Sequence, residues 1–209
     1  MLEFWYEFAS TYSYPTAMRI DDAAAAAGVT VRWRPFLLGP LFRDQQGLDD
    51  SPFNAAPVKG RYMWRDLERV CGEAGLAFHR PTAFPRDSLL PARVALAGDG
   101  QDWTRAFARS VYEANFVHDQ DIASPETLAP LIAAAGGDPA TALGAARGEP
   151  VKAALRANVE EAAAHGVFGS PSFITQDGEL FWGNDRLEQA LEWAARRHDV
   201  QGEYACWPS

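Results

Sequence analysis

The chain has 209 residues, 47% of them hydrophobic and 22% charged, with a net charge of −9 and only two lysines, Lys59 and Lys152. That is an ordinary globular balance, with enough chain to bury a substantial core. No basic run is present to neutralise phosphates and no apolar stretch approaches the ~20 residues of a bilayer span. Nucleic-acid and membrane partners are therefore not expected, and without a secretory pattern the expected compartment is the cytoplasm.

Residues 2–8 alternate and are rich in aromatics, which predicts a strand. Residues 13–27 predict a helix that runs through five alanines and stops at Gly28, and 29–36 (VTVRWRPF) predict a second strand. Strand, helix and strand at these lengths imply a right-handed parallel crossover. From Leu41 to Pro57, Gly, Pro, Asp and Asn dominate, and a long site-lining loop is expected. Helical patterns follow over about 58–74, 88–97, 101–117, 125–135, 138–146 and 149–165. Ser124-Pro125 and Asp138-Pro139 serve as cap-plus-proline starts. Beyond Gly166, SFIT (172–175) and ELFW (179–182) predict a hairpin around Gln176-Asp177-Gly178. Asn184 opens a last helix whose apolar face is Leu187, Ala190, Leu191 and Ala194. The expected class is α/β, with an all-helical insertion (41–165) dividing a core made of 1–40 and 166–200, and a tail at 201–209.

Cys71 and Cys206 form no C-x-x-C pair, so neither a disulfide framework nor a dithiol centre is expected. Cys71, on an amphipathic helix, reads as a packing residue. His79, His118, His165 and His198 show no metal-ligand spacing, and no metal is expected.

The stretch EFASTYSYP (7–15) sends a strand into a helix through a run of hydroxyls. Two readings compete: Ser10 and Ser13 cap the helix, or they hold a nucleophile that another molecule brings. Other positions carry the same ambiguity. Pro171 could simply start a strand, Asn184 and Asp185 could be plain caps, and Lys59 could be a solvated charge. Tyr62 and Trp64 could wall an aromatic pocket or pack the core.

FASTYSY, NAAPVKG, FGSPSF and WGNDRL occur in the order expected of one family, with FPRDS (84–88) and DIASPETL (121–128) also familiar. Over about residues 2–197 the chain resembles the 2-hydroxychromene-2-carboxylate isomerases and the kappa-class glutathione transferases of the DsbA-like thioredoxin superfamily. Two departures stand out: Thr11 where the family often has Pro, and Glu7 where it usually has Asp. The resemblance implies a thioredoxin-like core (βαβ…ββα), a homodimer and glutathione as co-substrate. It places Ser10 and Ser13 at the two cysteine positions of a C-x-x-C motif, so the site cannot exchange disulfides. Ser10 would then hydrogen-bond the glutathione sulfur and favour its thiolate, while Ser13 is structural. It also implies a cis Ser170-Pro171 bond that turns the Ser170 backbone toward the peptide part of glutathione. Asn184 and Asp185 would receive the γ-glutamyl end, the Asp185 carboxylate meeting its ammonium. Lys59 would pair with the glycine carboxylate of glutathione or with that of a small aromatic acid, with Asn54 at the same mouth. Tyr62 and Trp64 would wall the aromatic subsite.

The implied activity is glutathione-dependent isomerisation of an aromatic carboxylic acid, of the kind that converts 2-hydroxychromene-2-carboxylate to trans-o-hydroxybenzylidenepyruvate in aromatic catabolism. The alternatives are a kappa-type transferase or peroxidase and a non-enzymatic thioredoxin-like binding module.

Overall fold

The computed structural model describes residues 1–196. His198, Cys206 and the tail from 201 lie outside the described residues. Strand β1 (Leu2–Tyr6), helix α1 (Ser13–Ala26) and strand β2 (Val31–Pro35) form the expected crossover, with β1 and β2 parallel and Leu2 opposite Val31. Strand β3 (Ser172–Thr175) returns antiparallel to β1, and β4 (Leu180–Trp182) folds back on β3, so the sheet order is β2-β1-β3-β4.

Side-chain alternation along the strands explains why this sheet is covered on both faces. Leu2, Phe4 and Tyr6 point to one side, where they join Trp33 and Phe173 in the larger core. Trp5 and Ile174 point to the other and pack with Phe36, Leu41, Ala162 and Val167.

Between β2 and β3 the chain is helical: α2 (Leu38–Gln46), α3 (Pro52–Ala55), α4 (Pro57–Glu73), α5 (Leu89–Ala97), α6 (Trp103–Phe116), α7 (Pro125–Ala135), α8 (Pro139–Ala146) and α9 (Glu149–Ala164). A 3-10 turn over Asn184–Arg186 leads into α10 (Leu187–Ala195). The helices between share the larger core with the sheet: Met63 and Leu67 of α4 and Phe107 and Tyr112 of α6 are buried in the same cluster as Phe4 and Tyr6. Cys71 is fully buried there, and its burial pushes the thiol up to about 11, consistent with a packing role. No described helix is long and apolar enough to cross a membrane.

The expected long loop at 41–57 is a correction: most of it is helical. Helix α2 starts at Leu38 and carries Gly39 and Pro40 in its first turn, where backbone N–H groups have no intrahelical acceptor and a proline costs no hydrogen bond. Gly47 ends α2 in the left-handed conformation at φ 66°. Ser51 caps α3 by accepting from the Phe53 N–H at 3.3 Å, and Pro52 occupies the first position.

The contact between α3 and α4 requires a glycine. A Cβ at Gly60 would lie 2.3 Å from the backbone oxygen of Phe53. Gly60→Ala is expected to force α3 off α4 and to destabilise the protein by about 1–3 kcal/mol, read as a lower urea midpoint with an unchanged slope.

Candidate active site

The segment between β1 and α1 is a tight turn in which the Ser10 N–H donates to the Glu7 carbonyl at 3.1 Å. The Ser10 hydroxyl then donates to the Ser170 carbonyl at 2.7 Å, and the Ser13 and Ser170 hydroxyls share a 2.7 Å hydrogen bond. Tyr12, not Ser10, occupies the cap position of α1, and no side chain makes a capping bond there. The competition over Ser10 is thereby resolved in part: its hydroxyl spans to the opposite loop instead of closing its own helix. Ser170-Pro171 is cis, and a second cis bond, Phe84-Pro85, lies on the far wall of the cleft.

Ser10 opens onto a cavity of about 880 Å³. Lys59, Tyr62 and Ser170 line it together with Ser10, so the turn before α1, helix α4 and the loop before β3 converge on one space. Tyr62 is 63% exposed at the mouth, and the Lys59 ammonium lies 5.4 Å from the centre of the Phe53 ring.

Trp64, the other expected wall residue, is buried in the core against Phe84 (centroids 4.8 Å apart) and does not line the cavity. On a helix, positions two apart point about 200° from each other, so Tyr62 and Trp64 cannot face the same space. Asn54 is placed outside the lining as well. Its amide donates to the Asp50 carboxylate at 3.1 Å and to the Phe84 carbonyl at 3.0 Å, tying two wall segments together. Asn184 and Asp185 stand beside the cavity, which reaches Gly183. The Asn184 side-chain oxygen accepts from Thr16 at 2.9 Å and from Arg19 at 3.2–3.3 Å. Asp185 is exposed and sits 3.3 Å from Arg186. Pro171 is behind the wall; its carbonyl accepts from the Gly183 N–H at 3.0 Å.

Several cavity residues were not singled out as site residues in the sequence. Phe168 and Trp182 pack with ring centres 4.8 Å apart and planes tilted by 57°, and form an exposed lip (43% and 48%). Gly169 makes that lip possible, since a Cβ there would lie 2.3 Å from the Trp182 indole nitrogen. Glu7 lines the cavity at 5% exposure. Its carboxylate accepts from the Ala9 N–H at 2.9 Å and from the Ser88 hydroxyl. Burial pushes the carboxyl up to about 7, against the opposing pull of Ser88 and the Ala9 and Ser10 N–H groups. The sequence signal is slight: Glu7 is the second of two acids in the run LEFWYEF, at a position that stands out only as a departure from the family pattern.

Comparison with known proteins agrees with this fold. Residues 1–193 match the model of the DsbA-like thioredoxin domain. The chain belongs to that family. Within it, the protein is 28% identical over 188 residues to a 2-hydroxychromene-2-carboxylate isomerase of Sphingobium xenophagum, covering 90% of this chain and 94% of the relative. It is 24% identical over 208 residues to glutathione S-transferase kappa 2 of Caenorhabditis elegans, covering 93% and 92%. The solved structure of a 2-hydroxychromene-2-carboxylate isomerase superposes with a TM-score of 0.82 at 21% identity, over 93% of this chain and 94% of that one, which supports the fold. The chain is thus a DsbA-like protein similar to a 2-hydroxychromene-2-carboxylate isomerase and to a glutathione S-transferase, and it carries serine at positions 10 and 13.

Proposed function

We propose that this protein is a glutathione-dependent isomerase of a small aromatic carboxylic acid, with conversion of 2-hydroxychromene-2-carboxylate to trans-o-hydroxybenzylidenepyruvate as its reaction. The observation that carries the reading is a serine hydroxyl, instead of a cysteine, hydrogen-bonded to the Ser170 carbonyl on the wall of a large aromatic-lipped cavity. Such a site has no thiol of its own and suits a thiol supplied by a co-substrate. The Ser10 hydroxyl has one proton, so it donates either to the Ser170 carbonyl or to the glutathione sulfur. On glutathione binding it turns to the sulfur and stabilises the thiolate. Thiolate addition to the conjugated acid makes a double bond single, rotation follows, and elimination returns the thiol.

Lys59, unpaired by any carboxylate within ion-pair distance among the described residues, receives a carboxylate at the mouth. Tyr62, Phe168 and Trp182 enclose the aromatic ring. Asn54 and Trp64 support the wall, while Asn184 and Asp185 border the γ-glutamyl end. The same reading takes 1–40 and 166–200 as the core, 41–165 as the insertion, a homodimer as the assembly and the cytoplasm as the compartment.

Calorimetric titration with glutathione tests the first requirement, and absence of binding at millimolar ligand would leave a binding module of another kind. Turnover of 2-hydroxychromene-2-carboxylate without net loss of glutathione is the expected result. Steady consumption would mark the kappa-type transferase instead. Lys59→Gln is expected to raise KM for glutathione or for the aromatic acid about tenfold, a loss of one charge-assisted hydrogen bond. Which KM moves identifies the carboxylate that Lys59 holds.

A further inference from the structure

The cavity presents a second functional group that the reading above leaves unused. Glu7 lies three residues before Ser10, and its carboxylate is fixed by the N–H of Ala9, the residue next to Ser10, and by the hydroxyl of Ser88 from the segment before α5. All four residues line the same cavity. No Lys, Arg or His among the described residues comes within ion-pair distance of Glu7. The groups around it do not supply a compensating cation. Asp87 adds negative charge, Tyr112 of α6 donates its hydroxyl to the Glu7 carbonyl at 3.0 Å, and Tyr6 precedes it on β1. Lys59 and Tyr62 of α4 share the cavity, and Arg86 on the wall is paired with Asp119. A carboxyl so placed has one ordered donor on each oxygen and no partner charge, an unusual cost for a structural role that an amide would fill as well.

We propose that Glu7 is the general acid and base of the site, giving a proton to the carbonyl oxygen of an α,β-unsaturated keto acid as the thiolate adds, and taking it back on elimination. The inference rests on the isomerase reading above. In the forward step the sulfur lone pair forms the S–C bond at the β-carbon, and the C=C pair moves to make the enolate. The Glu7 proton passes to the enolate oxygen, leaving an enol and the Glu7 carboxylate. The adduct then turns about what is now a single bond. In the reverse step the carboxylate recovers the proton, the C=C bond re-forms and the thiolate leaves, so neither oxidant nor added water is needed. Holding its proton near neutrality suits Glu7 to this exchange. It also allows a neutral acid to stand near a thiolate, where a second anion would oppose it.

The test is the pH profile of glutathione-dependent cis–trans isomerisation of o-hydroxybenzylidenepyruvate by the full chain, wild type against Glu7→Gln, Glu7→Asp and Ser88→Ala. Wild-type turnover should fall on the alkaline side of about pH 7 as Glu7 ionises. Glu7→Gln should lose roughly 100-fold or more in kcat and lose that falling limb, while binding glutathione and titrating its thiol as the wild type does. Glu7→Asp should recover part of the rate. Ser88→Ala, which removes a donor to the carboxylate, should move the limb to higher pH, a shift that a packing role would not produce. If Glu7→Gln keeps wild-type kcat and the same limb, the Glu7 assignment is overturned while the isomerase reading stands. If Glu7→Gln does not fold, an unmoved limb in Ser88→Ala overturns the assignment instead. If the wild type binds glutathione but does not isomerise the acid, the isomerase reading fails and the assignment falls with it.

Discussion

Ser10→Ala is expected to slow turnover by roughly one to two powers of ten at neutral pH and to raise the pKa of the bound glutathione thiol, while glutathione still binds. The size follows from one hydrogen bond to a charged sulfur, worth about 1.5–3 kcal/mol, at about 1.4 kcal/mol for each power of ten in rate. Ser10 donates to the Ser170 carbonyl and does not cap α1, whose cap position is Tyr12, so the loss acts on the site before it acts on the helix. Ser13→Ala is the control. Ser13 is fully buried and shares its hydrogen bond with the Ser170 hydroxyl, so its removal leaves that hydroxyl without a partner. About 1 kcal/mol of stability should go, with turnover changed far less than in Ser10→Ala. Ultraviolet absorbance of the thiolate against pH, in the two variants loaded with glutathione, separates the roles. An unchanged titration together with unchanged turnover in Ser10→Ala would sink the mechanism.

How far the sequence could be read depended on which physical signal each element carries. The strands and long helices announce themselves by period, and the caps at Ser124 and Asp138 do what their spacing implies, accepting from Glu126 N–H at 3.1 Å and Thr141 N–H at 2.8 Å. Ser51-Pro52 carries the same cap-plus-proline signature, yet the surrounding Gly, Pro, Asp and Asn mask it and make α3 read as loop. Helix α2 was hidden by Pro40, which looks like a breaker but sits in a first turn where no donor is needed. The site was partly legible through motifs that place Ser10, Lys59, Tyr62 and Ser170 in order along the chain, and the fold brings these to one cavity. Trp64 misled because an aromatic on a helix says nothing of its face until the neighbouring core is known. The lip formed by Phe168 and Trp182 is illegible for a similar reason: their contact joins the loop before β3 to the end of β4, over Gly169, whose missing side chain is the only local sign.

Glu7 carries the second large effect, on stability. Its carboxyl is held at about 7 in the folded chain, against an ordinary value of 4.5, because burial penalises the charged form more than Ser88 and two N–H groups favour it. Below about pH 4.5 the group is protonated in both states and costs nothing. As pH rises from there, the unfolded chain releases the proton while the folded chain retains it, so the unfolded state binds fewer protons and stability falls with pH. The fall is complete once pH passes the folded value near 7. Its full size is about 3 kcal/mol at 1.36 kcal/mol per pKa unit, an order of magnitude for a group packed into a cavity wall. The carboxylates displaced the other way, Asp119, Glu126, Asp138 and Glu149, are held down by hydrogen bonds and by Arg86 and Arg156, so their contributions fade on acidification, below the window in question. Glu7→Gln keeps an acceptor for Ala9 and a partner for Ser88 without the charge. Urea unfolding at pH 5 and pH 8 should therefore show wild type losing about 2.5 kcal/mol more than Glu7→Gln across the interval, with the slope against urea the same in both. Parallel losses in the two proteins would mean that Glu7 is already ionised at pH 5, and that the buried carboxyl lacks the proton its environment favours.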